Sequence, residues 1–121
     1  MTSSKKCSEN TPIPNKVFSY GTLQLESVQK EVFSRALSYK KFTLSGYKTT
    51  DVSITDPRVI ALSGQSIHKG LVFTGCTTDR IGGVLLNITP EDLLPMDAYE
   101  VSDYKRISLT QDGQTFWVYV L

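Results

Sequence analysis

The stretch Val17-Phe18-Ser19-Tyr20-Gly21-Thr22-Leu23-Gln24-Leu25 changes its hydrophobic period partway along. Val17 to Tyr20 is a short β-favouring run and Gly21 ends it, which predicts a strand followed by a turn. From Gln24 the pattern is different: Leu25, Val28, Val32 and Ala36 recur at spacings of three and four, with Phe33 and Leu37 widening the stripe. Gln29, Lys30, Ser34 and Arg35 take most of the outer positions. This spacing predicts one amphipathic helix of roughly four turns. The chain therefore runs strand, tight turn, helix, with Tyr20-Gly21-Thr22-Leu23 at the join.

Upstream, Met1 to Lys16 is rich in Ser, Lys, Asn and Pro, with Ile13 its single large aliphatic residue. Such a segment cannot offset its ordering entropy by burial, which predicts a flexible tail over residues 1–16 and one domain over residues 17–121. Downstream, Phe42, Leu44, Val52, Ile54, Val59 and Ile60 read as strands broken by Gly46 and by Asp56-Pro57. Lys69 to Thr74 is a further strand, and Gly83-Val84-Leu85-Leu86-Asn87-Ile88 a stronger one. Thr89-Pro90-Glu91-Asp92 signals a helix start, with Thr as N-cap and Pro in the first turn. Pro95 removes a backbone donor, so a short turn to Leu94 and a second from Pro95 to near Glu100 are expected. Lys105 to Thr110 and Thr115 to Leu121 flank Asp112-Gly113, a favoured hairpin turn pair. About six strands and two helical segments indicate an α+β domain, the sheet rolled or closed into a small barrel.

The 121 residues suffice for one domain without a disulfide framework or structural metal. Thirteen basic against twelve acidic side chains give a net charge of +1, which disfavours a nucleic-acid binder and an acidic disordered tail. Cys7 and Cys76 are too few for a disulfide scaffold. No apolar run approaches the roughly 20 residues of a membrane span, and no signal peptide is visible. The reading is a soluble, single-domain, cytoplasmic protein.

His68 is the only histidine, and no Cys-x-x-Cys pair or carboxylate–histidine cluster appears, so no metal or other cofactor is expected. There is no Gly-x-Ser-x-Gly elbow and no glycine-rich nucleotide loop. His68 reads as a surface residue beside Lys69, Cys76 as a small buried hydrophobe, and Lys40-Lys41 and Lys105-Arg106 as solvated pairs. Two features remain. The turn Tyr20-Gly21-Thr22-Leu23 lets backbone approach a ligand and leaves helix-start N–H groups outward, a place for an anion; it is also what an ordinary strand–helix link looks like. Asp97 and Glu100 share a helical face, and a carboxylate at a helix end flanked by Asp97 and Asp103 would have a raised pKa. A solvated surface glutamate is the other reading of Glu100.

Taken together, Val17-Phe18-Ser19-Tyr20-Gly21-Thr22-Leu23, then Gly83-Val84-Leu85-Leu86-Asn87-Ile88, then Leu93-Leu94-Pro95-Met96-Asp97-Ala98-Tyr99-Glu100 and Tyr104-Lys105-Arg106 resemble the γ-glutamylcyclotransferase-like superfamily. That superfamily includes the AIG2-like proteins and the γ-glutamylamine cyclotransferases. The resemblance implies a compact mixed β-barrel flanked by helices, with the Tyr20-to-Leu23 loop and Glu100 across one cavity. It implies cyclisation of a small γ-glutamyl amine or γ-glutamyl amino acid to 5-oxoproline, with release of an amine. Glu100 would be the general base and acid, and Tyr20, Gly21, Thr22 and Leu23 would bind the substrate. Tyr104 and Arg106 would brace the helix-to-strand corner. The same fold without the chemistry would be a small-molecule- or partner-binding module. This chain departs from the family pattern at Met96, where leucine is usual, at Pro95, and at Val101, where glycine is expected; residues 46–82 match poorly.

Overall fold

The computed structural model describes residues 14–100 and 104–121. The expected tail thus falls largely outside the described residues, as do Cys7, Val101 and Asp103. Strand β1 is Lys16–Ser19, and the Asn15 carbonyl already accepts from the Ile88 N–H at 2.9 Å. A 3-10 turn, Thr22–Gln24, leads into helix α1, Glu26–Phe33. Then come β2, Tyr39–Ser45; β3, Tyr47–Ser53; α2, Pro57–Ser63; β4, Ile67–Phe73; and β5, Arg80–Asn87. The 3-10 turn Pro90–Asp92 precedes α3, Leu93–Tyr99, and the chain finishes with β6, Lys105–Gln111, and β7, Gln114–Val120.

The fold is α+β. Five strands form one sheet in the order β2-β5-β1-β7-β6, and β3 and β4 form a separate two-stranded sheet. Among the described residues, hydrogen bonding does not close these sheets into a barrel. β1 lies at the centre, antiparallel to β5 and parallel to β7. Val17 and Phe18 are consequently buried on opposite faces, which is why this strand reads as a continuous apolar run rather than an alternation. One face packs Val17, Leu86 and Tyr119 against Val28 and Phe33 of α1, Val59 of α2, and Met96 and Tyr99 of α3. The other packs Phe18, Leu85, Phe116 and Val118 against Tyr47 and Leu71 of the β3–β4 hairpin. The terminal hairpin turns through Asp112 and Gly113, both at positive φ, the two-residue turn that matches strand twist.

Four expectations change. The first helix stops at Phe33 rather than near Leu37, because Ser34 adopts the left-handed conformation. Gln29 is buried, not outward: its amide donates to the Leu23 carbonyl at 2.8 Å and accepts from the Leu37 N–H at 2.9 Å, tying together the two ends of the helix. Val59 and Ile60 are helical, since Asp56 caps the Arg58 N–H and Pro57 opens the first turn of α2. Pro95 breaks nothing; at the third position of α3 its missing N–H would have had no partner within the helix.

Candidate functional site

β1 ends at Ser19, and the chain then turns sharply through Tyr20 and Gly21. In the 3-10 turn that follows, the first internal donor is Gln24, whose N–H reaches the Gly21 carbonyl at 3.1 Å. The N–H groups of Gly21, Thr22 and Leu23 precede it, so no bond within the turn uses them. The turn is held from three sides. Tyr20 donates its hydroxyl to the Tyr119 carbonyl at 2.7 Å, the Thr22 and Tyr99 hydroxyls meet at 2.7 Å, and Gln29 holds the Leu23 carbonyl. A side chain on Gly21 would meet nothing within 4 Å, so open space faces it.

Glu100 caps the carboxyl end of α3, where its N–H donates to the Met96 carbonyl at 3.2 Å. Its side chain lines the same small cavity as Tyr20, Gly21, Thr22 and Leu23, a notch of about 30 Å³. Burial is the main cause that pushes the Glu100 carboxyl up to about 8, and the Asp97 charge adds to it. The proximity of Glu100 is felt by the Tyr20 hydroxyl, whose pKa is raised first by burial and then by the glutamate. Asp97 itself stays ionised. Burial works to raise it, but hydrogen bonds from Arg106 at 2.9 and 3.0 Å and from the Tyr119 hydroxyl outweigh that and hold it below the ordinary range. Arg106 also lies 4.2 Å from the centre of the Trp117 ring, fixing the start of β6 beneath α3.

All five residues singled out in the sequence, Tyr20, Gly21, Thr22, Leu23 and Glu100, meet at this notch. Tyr104 lines it too, while its hydroxyl donates to the Lys69 carbonyl at 2.9 Å. Arg106 does not line it and acts through Asp97. Sequence reasoning missed His68, Lys69 and Tyr119, which line it together with Phe18 and Ser19 of β1. His68 is not a surface residue but is buried. Its Nε2 lies 3.0 Å from Ser63 Oγ, a hydroxyl that is also 2.8 Å from the Val59 carbonyl. Burial also lowers its pKa, leaving it neutral at neutral pH. The apolar Leu71 suggests the opposite face for His68, but inward-facing parity breaks at Gly70 and Leu71, which are both buried. Cys76, expected inside, is exposed beside Thr78 in the β4–β5 connection.

A second, wider groove of about 220 Å³ opens beside the notch, sharing Tyr20, Gly21, Thr22, His68 and Lys69 and adding Leu25, Gln65 and Ile67. Among the described residues, no group of three or more His, Cys, Asp or Glu is gathered as metal ligands. No helix among them is long and apolar enough to cross a membrane.

No curated protein matches the sequence. Among solved structures, the chain is similar to a protein from Arabidopsis thaliana determined in solution, with a TM-score of 0.64 at 18% identity. The match covers 91% of this chain and 63% of that one, so the chain spans less than two thirds of the Arabidopsis protein. At that identity the likeness concerns the fold. The sequence itself matches the family described as gamma-glutamyl cyclotransferase, AIG2-like, over residues 17–121. That span includes β1, the Tyr20-to-Leu23 turn and Glu100, and the chain belongs to the gamma-glutamyl cyclotransferase, AIG2-like family.

Proposed function

We propose that residues 17–121 act as a γ-glutamyl cyclotransferase on a small γ-glutamyl amine or γ-glutamyl amino acid, releasing 5-oxoproline and an amine. The observation that carries this reading is the shared notch: a carboxyl raised to about 8 beside a turn whose first N–H groups no bond within the turn uses. Such a pair suits a reaction that needs a proton carrier and an anchor but no enzyme nucleophile. The attacking amine is part of the substrate, so ring closure is unimolecular once the chain is folded back.

An α-ammonium has a reference pKa of about 8, so it is matched to the Glu100 carboxyl. Ionised Glu100 takes a proton from it, and the freed amine attacks the γ-carbonyl carbon. A C–N bond forms, the tetrahedral centre collapses, and the bond to the departing nitrogen breaks. In total the α-nitrogen gives up two of its three ammonium protons and the departing amine gains two; Glu100 ferries them one at a time. The sum is an intramolecular acyl transfer that turns one substrate into 5-oxoproline and an amine, with no water, metal or cofactor consumed. The N–H groups of Gly21, Thr22 and Leu23 hold the glutamyl carboxylate, which fixes the α-amine toward Glu100. Tyr20 walls the pocket. The cytoplasm, where the exposed Cys76 stays a thiol, is the expected compartment.

The test is 5-oxoproline release from a panel of γ-glutamyl amines and amino acids by the wild type and by Glu100→Gln. The expected result is turnover by the wild type and a loss of about 100-fold or more in the variant, the scale of a positioned acid–base group. Unchanged release by Glu100→Gln removes the assignment. Ligand binding without turnover across the panel favours a binding module on the same fold.

A further inference from the structure

Resting on the cyclotransferase reading, we infer that Tyr99 is a positioning residue, whose hydroxyl, clamped to Thr22 and backed by Ser63, sets the separation between the anchoring turn and the Glu100 base. Glu100 stands where the hydrogen-bond ladder of α3 has ended: its backbone is extended, at φ −73° and ψ 138°. The last residue held in the helix is Tyr99, one position earlier, and its ring is buried in the cluster that includes Val28, Val59 and Met96. The Tyr99 hydroxyl meets the Thr22 hydroxyl at 2.7 Å, across a separation of 77 positions in the chain. That contact ties the two walls of the notch directly, the one bearing the N–H groups to the one bearing the carboxyl.

The tie is backed from a third element. Ser63, the buried last residue of α2, has its Oγ 2.8 Å from the Val59 carbonyl and 3.0 Å from His68 Nε2, and it accepts the Gln65 N–H at 3.2 Å. Tyr99 feels the turn, the base and α2 together. Burial is the main cause that raises its pKa, the hydrogen bond with Thr22 opposes this, the Glu100 charge adds to it, and a hydrogen bond with Ser63 opposes it again. The turn also has holds that do not pass through Tyr99: Tyr20 on the Tyr119 carbonyl and Gln29 on the Leu23 carbonyl. Removing the Tyr99 hydroxyl therefore leaves the turn able to take a carboxylate, but loosens the spacing between that carboxylate and Glu100. A misplacement of about 1 Å costs up to about 100-fold in rate, and it falls on kcat rather than KM.

Tyr99→Phe keeps the ring and its packing, so it is expected to fold with a melting temperature within roughly 8 °C of the wild type. On the γ-glutamyl conjugate that the wild type turns over fastest, kcat is expected to fall about tenfold or more, while KM and the dissociation constant of 5-oxoproline by calorimetry change by less than about twofold. Thr22→Val keeps the backbone N–H and should show the same split. The double variant should be no slower than the slower single one, because both changes remove one contact. Thr22→Ser, which keeps a hydroxyl, should retain most of the wild-type kcat. Unchanged kcat in Tyr99→Phe, a loss confined to KM, or effects of the two changes that multiply, overturns the positioning role and leaves Glu100 as the base. Should Tyr99→Phe fail to fold, equal kcat for Thr22→Val and Thr22→Ser overturns it instead. A wild type that releases no 5-oxoproline across the panel overturns the cyclotransferase reading, and this role with it.

Discussion

A glutamate ordinarily titrates near 4.5, and at Glu100 burial followed by the Asp97 charge moves it to about 8. The base must be ionised to accept a proton, so kcat/KM is expected to rise with pH through about 8, and a pH–rate profile checks this. In Glu100→Gln the residual rate should be lower throughout, and any limb that remains should follow the substrate ammonium. Gly21 offers a second check, on binding rather than proton transfer. With open space where its Cβ would stand, Gly21→Ala is expected to fold with a melting temperature near that of the wild type. The new methyl group would stand in the open space at the proposed carboxylate cradle, so KM should rise several-fold. Retained stability with unchanged KM would place substrate elsewhere. These two residues were legible from the sequence because their types and neighbours are local: a glycine between strand and helix, a glutamate three residues after an aspartate. His68 was not, because which face of β4 turns inward depends on packing against the last strand. A Cβ at Gly70 would stand 2.6 Å from the Leu121 side chain, and no local pattern encodes that.

Strand β5 depends on two adjacent glycines that behave differently. A Cβ at Gly83 would fall 2.3 Å from the Ser19 carbonyl oxygen and 2.8 Å from the Phe18 ring, whereas one at Gly82 would meet nothing within 4 Å. Gly83→Ala is therefore expected to lose about 1–3 kcal/mol in urea unfolding, by overpacking against the strand that feeds the site. Gly82→Ala should stay within about 0.5 kcal/mol of the wild type. Equal effects would mean that β1 and β5 are not so closely apposed. Most strands and the terminal hairpin were readable from turn residues and β-branched runs. Helix lengths were read less well. The stripe from Leu25 to Leu37 predicted about four turns, but a helix also needs its last carbonyls and next donors to stay paired along its axis. Here the buried Gln29 amide takes the Leu37 N–H, and Arg35 turns aside to grip Asp92 with bonds of 3.0 and 2.7 Å. Asp56-Pro57 was read as a break because both residues favour turns, yet the same chemistry opens a helix when apolar residues follow.

Across the molecule, the cavity arises where three separately built pieces converge: the end of the central strand, the carboxyl end of α3, and the β3–β4 hairpin. Composition and motif order revealed the fold class and two of these walls; the third comes from a region with little pattern, and it holds the groove. Burying a carboxyl there has a cost that reports on the whole fold. The folded state keeps its proton up to about pH 8 while the unfolded chain releases it near 4.5, so stability falls as pH rises between those values. Glu100→Gln is expected to be flatter over that range and about 1–3 kcal/mol more stable than the wild type at pH 8. His68, whose pKa is lowered by burial, acts oppositely below its ordinary 6.5, so the difference between the two proteins is the quantity to measure by denaturant unfolding. The account as a whole is tested most directly by a crystal structure with 5-oxoproline bound. It predicts the product carboxylate on the N–H groups of Gly21 to Leu23 and the lactam N–H within about 3 Å of the Glu100 carboxylate. Product lodged elsewhere, or Glu100 turned to solvent with no ligand against it, would contradict it.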